Sequence, residues 1–355
     1  MKLPLQEVTR LAAALLAVAG PGQLVLAAES NPPVSSYHVL AHYDIGGAEK
    51  GYDYLKVDSD ARRVFVAHGS RVEVLDADTG KHLGAIEHLS GAHGIEIVES
   101  IHRAFATSGT DRTVVEFDPA NLQVVKTIKY FGAKPDALEF DSASGHLFVV
   151  NGGATGDITV VDPATGAIVN TVEIGGGKLE EITFDGAGRG FVNDEEKGVI
   201  HVFDSKTLKN LATWPLAPAE EPTGLAIDRE KHRLFASCGN GMLAILDSTN
   251  GHLLGTAPIG PDPDGAAFDR KTGRVFTSNH DGTMSIVGER EPGKFVLLQT
   301  VTTAPGARTI ALDEKTGHLY LPSGKFGPAP APTQAAPEPR PPLIPESFGV
   351  VVVGP

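Results

Sequence analysis

The sequence is poor in the residues that support redox and haem chemistry. It has one cysteine, Cys238, among 355 residues. A lone cysteine excludes an internal disulfide, a C-x-x-C redox pair and a covalently attached c-type haem, because each of these needs two thiols.

Positive charge is also scarce. The chain has 30 Lys and Arg against 44 Asp and Glu, a formal net charge of −14, and no local cluster of Lys and Arg offsets this excess. Phosphate backbones are bound by basic surfaces. We therefore expect no nucleic-acid partner.

The strong catalytic motifs are missing as well. The sequence contains no H-E-x-x-H pair, no EF-hand loop, no G-x-S-x-G elbow, no P-loop and no glycine-rich dinucleotide motif. Each of these motifs carries a defined chemistry. Without any of these motifs, the sequence does not indicate a particular reaction, and whether the protein is an enzyme stays open.

The only long apolar run is "LAAALLAVAG" at 11–20, which Pro21 and Gly22 interrupt. Lys2 and Arg10 flank it, and small residues near Ala27 and Ala28 follow. This pattern is typical of a cleaved secretory signal, and the run is too short for a membrane span. We expect residues 1–28 to be a signal peptide, and the mature protein to be periplasmic or secreted with no membrane span.

What the sequence does have is internal repetition. The stretch "DALEFDSASGHLFVVNGGATGDITVVDPATGAIVNTVEI" shares its plan with "TGLAIDREKHRLFASCGNGMLAILDSTNGHLLGTAPI". Each has an apolar run that ends in Asp, a second run that begins near Phe, a third run that ends in Asp, and a fourth after a turn. Seven such units of about 43 residues follow one another.

Four short antiparallel strands in each unit predict a β-propeller blade. Blades bury their faces only against each other, so the ring must close. The last unit lacks a fourth strand, and "SSYHVLAHYDIG" at 35–46 resembles one. We therefore predict that residues 29–355 form one all-β, seven-bladed propeller, with the N-terminal strand completing the last blade.

The unit "LFVVNGGATGDITVVDPATGAIVNTVEIG" resembles the YVTN-type (YncE-like) propeller repeat, and the resemblance covers essentially the whole mature chain. It implies seven blades and, usually, export. It does not imply one activity, because propellers of this shape act as binding proteins, scaffolds and enzymes. WD40 signatures are missing, since the chain has one Trp and no recurrent W-D pair.

The innermost strand of each blade should place one side chain at the mouth of the central channel. Counting back five residues from the end of each first run gives this first ring: Asp53, His93, Asp136, Glu180, Thr223, Asp264 and Arg308. Acids dominate it, so we expect it to bind a ligand, and a cationic ligand or metal ion would suit its charge.

Two parts of the first ring have alternative interpretations. Asp53, His93 and Asp136, with His68 near them, could bind a divalent metal ion; otherwise they are an ordinary polar lining. Asp264 and Arg308 on neighbouring blades are interpreted as a salt bridge, and the alternative is an arginine that clamps a substrate carboxylate.

The ends of the second strands should supply another ring on the same face. Counting three residues on from each aromatic gives this second ring: His68, Ser108, Asn151, Asp194, Cys238, Asn279 and Ser323. Because six of the seven are polar, Asn151, Asp194 and Asn279 are further candidates for ligand binding.

A Pro-rich insertion, residues 325–346, joins the second and third strands of blade seven. Such a segment is typically extended or disordered. It is interpreted as a passive surface loop, and the alternative is a lid or partner-docking arm.

These observations favour an exported monomer that binds a small molecule, a metal ion or an envelope protein at its axial face without chemistry of its own. The alternative is a metal-assisted hydrolase, lactonase or lyase at the channel mouth. A third possibility is a scaffold that uses its blade edges and the Pro-rich insertion.

Overall fold

In the computed structural model, the described residues are 36–49, 51–129, 132, 134–153, 156–333 and 341–355. They form seven four-stranded antiparallel sheets arranged as the blades of a propeller, which confirms the predicted architecture. The predicted signal peptide, residues 1–28, lies outside the described residues. Among the described residues, no helix has the length and apolar character that a membrane span needs.

The first three blades follow the chain order, from the innermost strand outward. Blade one comprises β2 (Tyr52–Asp58), β3 (Arg63–His68), β4 (Arg71–Asp76) and β5 (His82–Ile86). Blade two comprises β6 (Ala92–Val98), β7 (Arg103–Ser108), β8 (Thr113–Phe117) and β9 (Val124–Lys129), with a 3₁₀ turn at Glu99–Ile101. Blade three comprises β10 (Pro135–Asp141), β11 (His146–Asn151), β12 (Asp157–Asp162) and β13 (Ala167–Glu173).

The next three blades repeat the plan. Blade four comprises β14 (Leu179–Phe184), β15 (Arg189–Asp194), β16 (Val199–Asp204) and β17 (Asn210–Pro215). Blade five comprises β18 (Pro222–Asp228), β19 (Arg233–Cys238), β20 (Met242–Asp247) and β21 (Leu253–Pro258). Blade six comprises β22 (Pro263–Asp269), β23 (Arg274–Asn279), β24 (Thr283–Glu291) and β25 (Lys294–Thr302).

Blade seven closes the ring with both ends of the chain. Its strands are β26 (Ala311–Leu312), β27 (Leu319–Ser323), β28 (Gly349–Gly354) and, outermost, β1 (His38–Asp44). The register runs from His38 opposite Gly354 to Asp44 opposite Gly349. The N-terminal strand therefore supplies the missing fourth strand, as predicted.

The Asp residues that end the strands act in the turns. Asp76 accepts hydrogen bonds at Oδ1 from the backbone N–H groups of Asp78 and Thr79, at 3.2 and 2.9 Å. Such Asp-capped turns give the chain a local hydrogen-bonded alternative to the ladder, so the strand ends there. Gly80 follows with φ of +70°, and a Cβ there would lie 2.2 Å from the ring of Tyr43, so this turn requires glycine.

The aromatic residue of each second strand forms the core between the blades. These seven side chains, all fully or almost fully buried, are Phe65, Phe105, Phe148, Phe191, Phe235, Phe276 and Tyr320. Their burial among Val, Ile and Leu from adjacent blades supplies the main stabilisation, since each blade has two apolar faces to cover.

The fourth strand of every blade contains a register shift. The bulged residue is aliphatic in all seven: Leu40, Leu83, Val125, Val169, Leu211, Leu254 and Leu298. A bulge bends an edge strand and interrupts its row of free backbone groups. The outer edges of the propeller are therefore poor templates for another strand.

Candidate functional site

The first ring forms where the sequence predicts it. In six blades its member is the second residue of the innermost strand, and in blade seven Arg308 precedes β26. All seven side chains are partly exposed. They therefore combine fixed positions with access to solvent, which a binding site needs.

Contacts between blades fix the backbone of this ring. Thr107 Oγ1 of blade two donates to the carbonyl of Asp136 at 2.7 Å, and Thr309 Oγ1 of blade seven donates to the carbonyl of Asp53 at 2.9 Å. Gly94 permits the same close approach, because a Cβ there would lie 2.5 Å from the carbonyl oxygen of Asp136. Neighbouring blades thus hold the ring at a set spacing.

Ion pairs join most of the ring's charged members. Arg308 Nε lies 3.2 Å from Asp264 Oδ2, and Arg308 Nη2 lies 3.6 Å from Asp53 Oδ1. These distances confirm that Asp264 and Arg308 are paired, as the salt-bridge interpretation requires. Arg308 contacts Asp53 of blade one in addition, so one guanidinium bridges two carboxylates.

His93 stands between two acids. A hydrogen bond joins its Nδ1 to Asp53 Oδ2, and the same Nδ1 lies 3.6 Å from Asp136 Oδ1. Asp136 Oδ2 accepts a hydrogen bond from Lys134 Nζ at 3.0 Å. Oxygen and nitrogen atoms of Asp53, His93 and Asp136 all lie within 4.8 Å of one another, so these three residues could together hold a metal ion.

The structure does not bring His68 into this group. Its side chain is fully buried, its ring stacks on Phe348 with centroids 3.8 Å apart, and its Nδ1 lies 3.4 Å from Glu73 Oε1. The predicted four-residue metal set therefore reduces to three residues at the mouth, because His68 turns into the interface between blades one and seven.

Three other members of the second ring are also buried, and each contacts residues of its own blade. Asn151 donates through Nδ2 to Asp157 Oδ1 and Thr159 Oγ1, at 2.6 and 2.8 Å. Asn279 similarly donates to Thr283 Oγ1 and Ser285 Oγ, both at 3.0 Å.

Asp194 Oδ2 lies 3.0 Å from His201 Nε2. Like Asn151 and Asn279, it is fully buried. These polar side chains hold the ends of the second strands to the third strands of the same blades, and their role in ligand binding stays a prediction.

The two ends of the Pro-rich insertion pair with each other beside the mouth. Gly327 N donates to the carbonyl of Pro342, and Ile344 N donates to that of Lys325, both at 2.8 Å. Phe326 packs against Tyr52, which precedes Asp53, with ring centroids 6.1 Å apart. The described parts of the insertion, residues 325–333 and 341–346, are thus anchored at blade one.

Below the mouth, four charged side chains that stand outside both predicted rings line the channel: Lys56, Glu96, Glu139 and Glu181. Lys56 Nζ lies 2.5 Å from Glu96 Oε2. Tyr54 of blade one crosses the channel above them to pack against the hydrophobic cluster of blades three and four. We call these four residues the inner group.

Burial raises the pKa of two acids of the inner group. For Glu139 the pKa is about 7, because burial and the nearby Glu96 outweigh Lys56 and Arg229. For Glu181 it is about 8, because burial, Glu139 and Asp264 outweigh a hydrogen bond from the backbone N–H of Leu225 and the charge of Lys56. The inner group therefore has more carboxylates than its one lysine can balance.

The channel widens toward the opposite face of the propeller. A cavity of about 660 Å³ there shares Lys56 and Glu181 with the inner group. Its rim carries Arg270, Lys271 and Lys315, and Lys315 is paired with Asp60 at 2.5 Å. Asp60, Glu99 and Glu314 also line this cavity, so acids and bases are balanced at this end of the channel.

Comparisons with solved structures reproduce the fold. Hydrazine synthase of Kuenenia stuttgartiensis is 14% identical, with a TM-score of 0.68 over 78% of this chain and 94% of that chain. The WD40 propeller domain of Doa1 is 12% identical, with a TM-score of 0.67 over 90% and 97%. U3-55K is 13% identical, with a TM-score of 0.69 over 90% and 99%. At these identities the likeness concerns the architecture alone.

No curated protein matches the sequence. A family model does match, over residues 68–323, and its description is outer membrane protein assembly factor BamB. The finer resemblance to YVTN-type repeats stays a prediction. Because the match covers well over half of the sequence, from the end of β3 to the end of β27, the chain belongs to the BamB-like family of propeller proteins.

Proposed function

We propose that this protein is an exported binding protein of the cell envelope that receives a small cationic ligand at the mouth of its axial channel and performs no chemistry there. The supporting observation is an excess of carboxylate at a fixed, partly exposed ring. A preorganised charged site binds with less loss of conformational entropy than a flexible one.

Two acids of the ring, Glu180 and Asp264, hold their protons more tightly than exposed carboxyl groups do, although each lies beside one base. Glu180 Oε1 lies 3.0 Å from Lys178 Nζ, and Asp264 is paired with Arg308. The pKa of Glu180 is raised to about 8 by burial, by Glu195 and by the nearby Asp136, against the opposing effect of Lys178. The pKa of Asp264 is raised by burial and by Asp53, against the opposing effect of Arg308. A bound ammonium group beside these carboxylates would stabilise their ionised form.

Isothermal titration with 1,4-diaminobutane, and with 1,4-butanediol as its neutral counterpart, tests this proposal. We expect the diamine to bind and the diol not to. Asp264→Asn and Glu180→Gln should each weaken diamine binding about tenfold, equivalent to about 1.4 kcal/mol.

Glu314→Gln is the matched control, because Glu314 is an exposed acid at the rim of the opposite cavity, 3.4 Å from Arg270. Equal binding of diamine and diol, or an equal loss in the Glu314 variant, would contradict a cation site at the mouth.

Family membership supports the proposed location, since the matching family is described as an outer membrane assembly factor. Fractionation of cells that express the full chain should place a shortened protein in the periplasm or medium. Full-length protein in the cytoplasm would argue against export.

A metal-assisted hydrolase is the second candidate function, and the closeness of Asp53, His93 and Asp136 favours it. Three protein ligands leave a coordination position for a reactive water. Zn²⁺-dependent hydrolysis of γ-butyrolactone that is lost in His93→Ala would favour the enzyme. Diamine binding with no zinc-dependent hydrolysis would favour the binding protein.

A further inference from the structure

The geometry points to a divalent transition-metal site formed by Asp53, His93 and Asp136. This inference deepens the proposed function, since it names a specific cation for one side of the mouth. The three residues come from consecutive blades, and their side chains are 13%, 20% and 18% exposed, respectively. Their potential ligand atoms lie within 4.8 Å of one another. Two ligands of one ion with bonds of about 2.0–2.2 Å lie at most about 4.4 Å apart, so a small inward shift of the side chains lets one ion bond to all three.

The imidazole presents the correct atom. His93 Nδ1 faces both carboxylates, because a hydrogen bond joins it to Asp53 Oδ2 and it lies 3.6 Å from Asp136 Oδ1. Gly109 makes room for the ring on its other side, since a Cβ there would lie 2.9 Å from His93 Cδ2. The ring orientation is therefore set by blade packing and does not require a bound ion.

Each carboxylate has one oxygen directed at the imidazole and its other oxygen beside a cation. Asp53 Oδ1 lies 3.6 Å from Arg308 Nη2, and Asp136 Oδ2 accepts a hydrogen bond from Lys134. The hydrogen bond from Lys134 orients Asp136 as outer partners orient ligating carboxylates in metal sites, and Arg308 places a positive charge beside Asp53. The donor set of one imidazole and two carboxylates suits Zn²⁺ or Mn²⁺.

The simpler explanation is a histidine that links two acids by hydrogen bonds. One Nδ1–H group can donate one good hydrogen bond, and at 3.6 Å the Asp136 oxygen lies beyond hydrogen-bonding distance. A metal ion would bond to all three residues at once. The hydrogen bond from Lys134 to Oδ2 holds Asp136 with its Oδ1 directed at the imidazole, where an ion would bond to it.

The protein contains a matched control on the same face. His280 Nδ1 lies 3.1 Å from Asp262 Oδ2, and these side chains are 48% and 77% exposed. This pair has the same two chemical groups as His93 and Asp53, but among the described residues it belongs to no three-residue cluster. A site that depends on the third ligand should therefore bind at His93 and not at His280.

The test uses the untagged mature protein after dialysis against a chelator. Titration with ZnCl₂ and with MnCl₂ should give a single site with at least one of the two ions. His93→Ala and Asp136→Asn should each raise its Kd at least 100-fold, and His280→Ala should leave the Kd unchanged. Asp136→Asn preserves size, and far-ultraviolet circular dichroism confirms that each variant is folded.

Binding that survives both substitutions, binding that is lost equally in His280→Ala, or no single-site binding of either ion overturns the metal site. The diamine titration separates this inference from the proposed function. If neither ion binds but the diamine still binds through Asp264 and Glu180, the metal site fails and the cation-binding function stands. If an ion binds and the diamine does not, the metal site stands and the proposed binding of a small cationic ligand fails.

Discussion

The mouth of the channel and the inner group contain the same residue types, but their acids and bases are arranged differently. At the mouth, acids and bases alternate around the ring in the order Asp264, Arg308, Asp53, His93, Asp136 and Lys134. In the inner group, Glu96, Glu139 and Glu181 share one lysine, Lys56. Acids and bases thus alternate at the mouth and do not alternate in the inner group.

The pKa shifts follow this difference. Burial acts to raise the pKa of Asp53, but the hydrogen bond from His93 and the charge of Arg308 outweigh it, so the pKa is lowered. Burial acts the same way on Glu139 and Glu181, and their acidic neighbours reinforce it, so their pKa values rise to about 7 and about 8. The neighbouring charges, and not the depth of burial, decide the sign.

The largest expected effect comes from removing the lysine of the inner group. Lys56→Met leaves Glu96, whose side chain is 9% exposed, without the cation at 2.5 Å. Breaking a fully buried pair costs about 3–5 kcal/mol, and Lys56 is 39% exposed, so we expect the free energy of unfolding at pH 8 to fall by about 2–3 kcal/mol.

Urea denaturation measures this loss. Lys315→Met removes the exposed partner of Asp60 and should change the free energy of unfolding by less than about 0.5 kcal/mol. If both variants lost the same free energy of unfolding, the Lys56–Glu96 pair would contribute no more than an exposed salt bridge.

The second expected effect is a pH dependence set by Glu139 and Glu181. A carboxyl group with a raised pKa in the folded state binds its proton more tightly there than in the unfolded chain. The stability that it contributes is full below the unfolded value of about 4.5 and is lost as the pH rises through the folded value. The free energy of unfolding should therefore fall between pH 5 and pH 8.

The double variant Glu139→Gln, Glu181→Gln removes both titrations. We expect its pH profile to be nearly flat between pH 5 and pH 8, so that at pH 8 it exceeds the native protein by about 1–2 kcal/mol. The control is Glu291→Gln, an exposed acid on the outer hairpin of blade six, which should keep the native slope. A double variant with the native slope would contradict the raised pKa values.

Repetition explains why the fold and the first ring were predictable. Each innermost strand ends at the same turn, so counting back from it locates Asp53, His93 and Asp136 at the mouth without a structure. The pairing of Asp264 with Arg308 follows from the same count, because closed rings place each blade beside the next. These parts of the site depend on sequence periodicity alone.

The inner group was missed for a specific reason. Lys56, Glu96 and Glu139 each lie three residues after a member of the first ring, and strict alternation would place them on the opposite side of the strand. The structure has a register shift in these strands, for example between Tyr52 and Leu55, which turns both positions toward the channel. A bulge leaves no clear mark in the sequence, so side-chain burial could not be read from the pattern.

His68 illustrates a second limit. Its place at the end of β3 was predicted correctly, but position along a strand does not tell where a side chain points after the strand ends. Glu73 of its own blade offers it a hydrogen bond, and Phe348 of blade seven offers it a stacking surface, although Phe348 is 280 residues away in the sequence. Contacts at such separation depend on the closure of blade seven.

The smallest expected effect concerns the mouth and completes the comparison. Arg308→Met removes the cation that bridges Asp264 and Asp53. Asp53 keeps its hydrogen bond to His93, whereas Glu96 keeps no cation when Lys56 is lost. We therefore expect the free energy of unfolding at pH 7 to fall by about 1 kcal/mol, less than for Lys56→Met. Arg308→Lys should recover part of the loss. If Arg308→Met lowered the free energy of unfolding as much as Lys56→Met does, the remaining bases at the mouth would not compensate Asp264 and Asp53 for the lost arginine.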